Sequence, residues 1–240
     1  MDAIAIDTIV FNRLVWATLA ATILCLDRIV FQTMLSRPIV IAPIIGLILG
    51  NVLTGLFVGA VIELFWCNKA PLGTYLPPND SIVAAVSTLT VIPMVQNMPR
   101  IHQEMIALCI LFYLPLGFLG QKLEAQIARF NEGLSEKALK QIESTDGSFE
   151  PPTPTLPIMV YFLYTFSMIT LPLIFGLIYI PPFYDALPQA AERALFYSYY
   201  ALPLIGVAAV LTTTQHRKTL LYFSTVFLIS VLTLEILRKT

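Results

Sequence analysis

Long apolar runs separated by short polar punctuation dominate this chain. The runs are Leu14–Leu26, Ile39–Trp66, Ser81–Pro99, Met105–Gln121, Leu156–Tyr184, Ala194–Gln215 and Thr219–Leu234. A membrane-spanning helix takes about 20 consecutive apolar residues, so the pattern predicts an all-α, polytopic helical membrane protein with about seven spans. Two runs are too long for simple spans. As a straight helix, Ile39–Trp66 would reach about 42 Å against a hydrocarbon core of about 30 Å. A break near Gly50-Asn51 would absorb the excess. Leu156–Tyr184 is similarly long, with Pro172 in its middle and Pro181-Pro182 at its end. Broken or re-entrant segments of this kind, occurring in pairs, point towards transporters.

Composition sharpens the class. The chain is 57% hydrophobic and 12% charged, half the charge of an ordinary soluble domain, and its mean hydropathy is +0.79. A net charge of -1 and the lack of a basic run argue against a nucleic-acid partner. The first residues carry Asp2 and Asp7 and no basic stretch, unlike a cleavable signal peptide. One segment departs from the apolar theme: residues 122–156 mix Lys122, Glu124, Arg129, Glu132, Glu136, Lys137 and Lys140, then turn proline-rich. Its first part could extend the preceding helix as an amphipathic arm. Its lysines and arginines place it in the cytoplasm. The expected organisation is an N-terminal membrane half over 1–121, this linker, and C-terminal spans over 157–240.

Candidate chemistry concentrates between Gln32 and Ser87. Gly46 and Gly50 are four apart, as are Gly55, Gly59 and Glu63, so each set shares a helix face. Small faces let backbones approach closely in lipid, and the glycines alone read as packing. Glu63 changes the balance. An acidic residue in an apolar run is costly and normally faces a cavity, a partner or a substrate; the alternative is an interfacial carboxylate that reaches water. The stretch from Cys67 to Ser81 is either a re-entrant hairpin lining a polar site or a surface loop. Pro77-Pro78 stops any helix there, and Asn79-Asp80-Ser81 supplies an N-cap for the next run. Glu63, Asn68, Asn79 and Asp80, with the flat faces of Trp66 and Tyr75, suit a polyhydroxylated neutral ligand needing both donors and acceptors. Gln32 is a further candidate contact.

Catalytic and cofactor signatures are missing. There is no phosphate-binding loop, HExxH or GxSxG motif, and no cofactor is implied. Cys25, Cys67 and Cys109 are widely spaced, and His102 and His216 lie in short connections beside basic residues. Nothing in the sequence reads as an autonomous catalytic centre, and the chain is not expected to be an enzyme.

Residues 30–90 resemble the IIC permease subunit of the mannose/fructose/sorbose family of bacterial phosphotransferase systems. The resemblance is carried by Arg37-Pro38 opening a long apolar run, the step from Gly46 to Asn51, the Gly55/Gly59/Glu63-Leu64 pattern, and Pro77-Pro78-Asn79-Asp80 before the next helix. Asn51 and Asn79 stand where the family usually carries Asp. The resemblance implies a multi-pass protein of the bacterial cytoplasmic (inner) membrane, assembled with a IID membrane subunit into a larger homo-oligomeric complex. It also implies a sugar site near Glu63 and the Pro-Pro segment. A cytoplasmic IIB subunit, phosphorylated on histidine and supplied by IIA, would phosphorylate the hexose. A divergent, non-transporting assembly or receptor subunit of the same fold is the alternative.

Overall fold

The computed structural model describes residues 8–67, 76–97, 102–144, 155–212 and 225. Within them the chain forms seven helices: α1 (Thr8–Leu26), α2 (Pro38–Leu49), α3 (Val52–Trp66), α4 (Asp80–Asn97), α5 (His102–Ser144), α6 (Thr155–Asp185) and α7 (Gln189–Thr212). Helices α1, α5, α6 and α7 are long and apolar enough to cross a membrane, and α2, α3 and α4 are shorter apolar helices. The protein is thus an all-helical membrane protein over its described residues. The expected span Thr219–Leu234, apart from Thr225, lies outside them.

The run Ile39–Trp66 is broken where the sequence suggested. Gly50 adopts a left-handed conformation (φ 84°) and donates its N–H to the last carbonyls of α2, a geometry that glycine takes without steric cost. Asn51 then caps α3, its side chain accepting the N–H of Thr54 at 3.1 Å. The two helices fold back on each other. A Cβ at Gly55 would collide with the carbonyl oxygen of Ala42, and one at Gly59 with that of Pro38. The pairings 42 with 55 and 38 with 59 describe an antiparallel hairpin that enters and leaves at the same end of the bundle. Its tip lies near Arg13 of α1 and Gln96 of α4, and the Gln96 amide donates to the carbonyl of Leu49 at 2.9 Å.

Helix α4 is the centre of the fold. Residues Ile82–Val95 are buried on every face, as a helix apolar all round must be, and α2, α5, α6, α3 and α1 pack around it. Helix α7 lies against α5 and α3 on the outside.

One long helix differs from the sequence expectation. Helix α6 runs unbroken through Pro172, so the second half of the expected pair of interrupted segments is continuous. One proline removes a single backbone donor, and here the long helix continues through that loss. The Pro172 carbonyl also accepts the Tyr113 hydroxyl of α5 at 3.0 Å. Helix α5 continues from the fourth apolar run through Glu124 to Ser144, the amphipathic extension that the sequence allowed.

Candidate functional site

Four helix termini meet at one end of the bundle: the C-termini of α1 and α3 and the N-termini of α2 and α4. The middle of α5 passes beside them. Together they enclose a cavity of about 680 Å³, lined among others by Arg28, Gln32, Arg37, Glu63, Trp66, Asp80 and Glu124. That volume is in the range of small-molecule sites.

The Glu63 wall follows from the α2–α3 hairpin. Arg37, just before Pro38, reaches along the hairpin to Glu63, one turn beyond Gly59. The guanidinium Nη1 donates to Glu63 Oε1 at 2.9 Å. The Arg37 side chain is 52% exposed, so the pair adds little stability and mainly fixes where the carboxylate points. The other oxygen, Glu63 Oε2, is buried and has no hydrogen-bond partner among the described residues.

A second part of the lining is a charged network that ties α1, α4, α5 and α6 together. Arg28, just beyond α1, donates from Nη1 to Asp80 Oδ1 at 2.7 Å and from Nη2 to the carbonyls of Pro77 and Pro78 at 3.3 and 3.4 Å. Its Nε lies 3.6 Å from Glu124 Oε1. That same oxygen accepts the Asn79 amide at 2.6 Å and the Tyr161 hydroxyl at 2.9 Å. Asn79 uses its remaining polar atom to cap α4, Oδ1 accepting the N–H of Ile82 at 3.0 Å. A carboxylate buried this deeply is tolerable only when paired and hydrogen-bonded. Glu124 Oε1 meets that condition. Glu124 Oε2 does not: it is buried and without a partner among the described residues.

Asp27 shapes the loop that roofs the site. Its carboxylate accepts from the backbone N–H groups of Thr33 at 2.9 Å and Ser36 at 3.2 Å, and from the Thr33 hydroxyl. Burial pushes its carboxyl up, but these hydrogen bonds outweigh it and hold the group below its ordinary value. The tightened loop puts Gln32 and Met34 at positive φ, 55° and 67°. Side-chain-bearing residues seldom adopt such conformations, which recur at functional sites, and both line the cavity.

Of the residues singled out from sequence, Glu63, Asp80, Gln32, Arg37 and Pro77 line this one cavity. Asn79 stands behind the wall, buried, with both ends of its amide engaged by protein. Gly46, Gly50, Gly55 and Gly59 build the hairpin, Pro38 occupies its first helical position, and Pro78 offers its carbonyl to Arg28. Asn68 and Tyr75 lie outside the described residues. Sequence reasoning passed over Arg28, Asp27 and Glu124. A signal for Glu124 was available: Tyr113, Gly117, Gly120 and Glu124 recur at helical spacing and are all buried, carrying the buried face of the fourth apolar run into the charged segment.

This architecture has relatives. The chain is 41% identical over 63 residues to the protein of Escherichia coli (strain K12) named "Putative N-acetylgalactosamine permease IIC component 2", covering 26% of this chain and 47% of that one. It is 31% identical over 93 residues to the PTS system sorbose-specific EIIC component of Klebsiella pneumoniae, covering 39% of this chain and 31% of that one. The matches thus span less than half the length of either relative. Two solved structures share the fold at 18% identity, covering 92% of this chain and 86% of theirs. One is described as a membrane protein (TM-score 0.64), the other is the mannose transporter ManYZ in complex with microcin E492 (TM-score 0.54). The family described as the PTS system sorbose-specific IIC component matches residues 12–238, nearly the whole sequence, and the chain belongs to that family of phosphotransferase-system permeases.

Proposed function

We propose that this chain binds and translocates a hexose-type sugar as the IIC subunit of a phosphotransferase system in the bacterial inner membrane. In this reading it works with a IID membrane subunit, and a phosphohistidine-bearing IIB subunit recharged by IIA phosphorylates the sugar. The observation that carries it is the cavity where the ends of the α2–α3 hairpin meet α1, α4 and α5. Its wall combines carboxylates held rigidly by arginines, the Gln32 amide and the flat face of Trp66. A neutral polyol needs such a surface: acceptors for its hydroxyl protons, a donor for its oxygens, and an apolar plane for its C–H face. Glu63 is the foremost hydroxyl acceptor, with Asp80 and Gln32 beside it. Asn79 supports the site from behind by setting the start of α4 and the position of Glu124. Asn68, outside the described residues, is a further candidate contact. Residues 122–156 form the cytoplasmic connection between the two membrane halves, with α5 projecting into it. The relatives' names, which include N-acetylgalactosamine, sorbose and mannose, set the range of sugars to test.

The test is accumulation of sugar phosphate from labelled hexoses, in cells expressing the chain with its neighbouring IID, IIB and IIA partners, with and without this subunit. Accumulation that requires this chain is the expected result. A correctly inserted complex that accumulates none of those sugars would instead favour a non-transporting assembly or receptor subunit.

A further inference from the structure

Two carboxylate oxygens on the cavity wall stand out, because the fold buries them and gives neither a donor among the described residues. Glu63 Oε2 and Glu124 Oε2 are both buried and unpartnered among the described residues, and both residues line the same cavity. A buried acceptor without a donor is costly, and each one in a native protein calls for an explanation. The two cations among the described lining residues are already engaged. The Arg28 nitrogens are engaged by Asp80, Glu124 Oε1 and the carbonyls of Pro77 and Pro78. Arg37 binds Glu63 through Oε1.

We propose that Glu124 is a second ligand-binding carboxylate, whose Oε2 accepts a hydrogen bond from a hydroxyl of the sugar other than the one held by Glu63. The inference rests on the permease reading and refines its substrate class: the ligand must donate hydrogen at two places and carry no negative charge on those faces. The construction favours this role over a purely structural one. Oε1 alone takes the Asn79 amide, the Tyr161 hydroxyl and the Arg28 pair, so tying the helices together uses one oxygen and leaves the other without a donor among the described residues. Helix α5 also places a charged residue, 3% exposed, at a point where an apolar side chain would satisfy packing. An anionic sugar would meet Glu63, Asp80, Asp27 and Glu124 against only Arg28 and Arg37 among the described lining residues, and like charges at close range are excluded strongly.

The Glu124→Gln substitution discriminates well. Asn79 and Tyr161 both donate to Oε1, so the amide oxygen of Gln must take that place, and its NH₂ then occupies the position of Oε2. An acceptor becomes a donor there, with nearly unchanged shape. The experiment measures calorimetric binding of D-mannose, L-sorbose and N-acetyl-D-galactosamine to the purified complex, and then of the monodeoxy and monofluoro analogues of whichever binds. Wild type should show one hydroxyl, besides the one lost in Glu63→Gln, whose removal or fluorination weakens binding tenfold or more. In Glu124→Gln the parent sugar should bind tenfold or more weakly, and that hydroxyl should matter less than twofold. An unchanged affinity and analogue profile in Glu124→Gln would overturn the proposal while leaving the permease reading in place. Wild type that binds none of the three sugars would instead remove the permease reading and this inference with it. Should Glu124→Gln fail to assemble, carbodiimide labelling of Glu124 in the wild-type complex, read by mass spectrometry, gives the answer. Protection by the bound sugar supports the contact, and labelling at the same rate with and without sugar overturns it.

Discussion

Replacing Arg28 with Gln tests the charged network that joins four helices. Arg28 is the cation paired with both Asp80, at 2.7 Å, and Glu124, at 3.6 Å, and Glu124 has no other ion-pair partner among the described residues. The side chains of Arg28 and Asp80 are 19% and 23% exposed, whereas that of Glu124 is 2% exposed. Removing one partner of a buried pair costs about 3–5 kcal/mol, because the other charge stays buried and uncompensated. The partial exposure of Arg28 and Asp80 lets water recover some of that loss. Glu124 also keeps the donors Asn79 and Tyr161 on Oε1. The expected cost therefore lies at the low end, about 3 kcal/mol, or roughly a hundredfold in the folded-to-unfolded ratio. Reversible unfolding of the purified chain in mixed micelles would measure it. The double variant Arg28→Gln/Glu124→Gln removes the stranded charge, and should recover at least about 1 kcal/mol relative to the sum of the single losses. A single-variant cost under about 0.5 kcal/mol, or strict additivity in the double variant, would refute the claim that the pair is electrostatically coupled.

Other positions give sharper contrasts between folding and function. Glu63→Gln leaves Arg37 half in solvent, so stability should fall by less than about 1 kcal/mol while hexose uptake drops at least tenfold; full uptake would remove Glu63 from the site. Gly59→Leu puts a side chain where the Pro38 carbonyl already sits. It should part α2 from α3 and abolish a stable complex in detergent, and size-exclusion elution identical to wild type would contradict the hairpin register. Asn51→Ala should cost about 1 kcal/mol through the lost cap, whereas Asn51→Asp should be within a few tenths of neutral, since both residues cap equally well. A large penalty for Asn51→Asp, read from the same micelle unfolding, would give this asparagine a role beyond capping.

Local signals were the legible ones. The Gly50-Asn51 break could be read because the left-handed glycine and the asparagine cap act over a few residues, whatever surrounds them. Glu63 was conspicuous as an acidic residue inside an apolar run. Its partner Arg37 was visible only as part of a motif, because the hairpin that joins them across 26 positions is a tertiary event. Glu124 was hidden for a different reason. It lies in a charge-rich stretch that reads as a solvated arm, and its partners are distant in sequence: Asn79 capping α4 and Tyr161 on α6. Asn79 was recognised as part of the α4 cap, but its amide also orients Glu124, which an aspartate could not do without setting two carboxylates together. Pro172 misled in the opposite sense, since a strong local breaker was overridden by the long helix around it.

The central claim, that the cavity at the hairpin base is the sugar site, can be tested without any mutation. Cys67 is a free, exposed thiol that lines the cavity, whereas Cys25 and Cys109 are buried. A maleimide added to membranes containing the assembled complex should modify Cys67 selectively. The account predicts that a hexose accumulated by this system slows that modification at least threefold, with half-protection at the concentration that half-saturates uptake. Modification of Cys67 at the same rate with and without a saturating, transported hexose would contradict it.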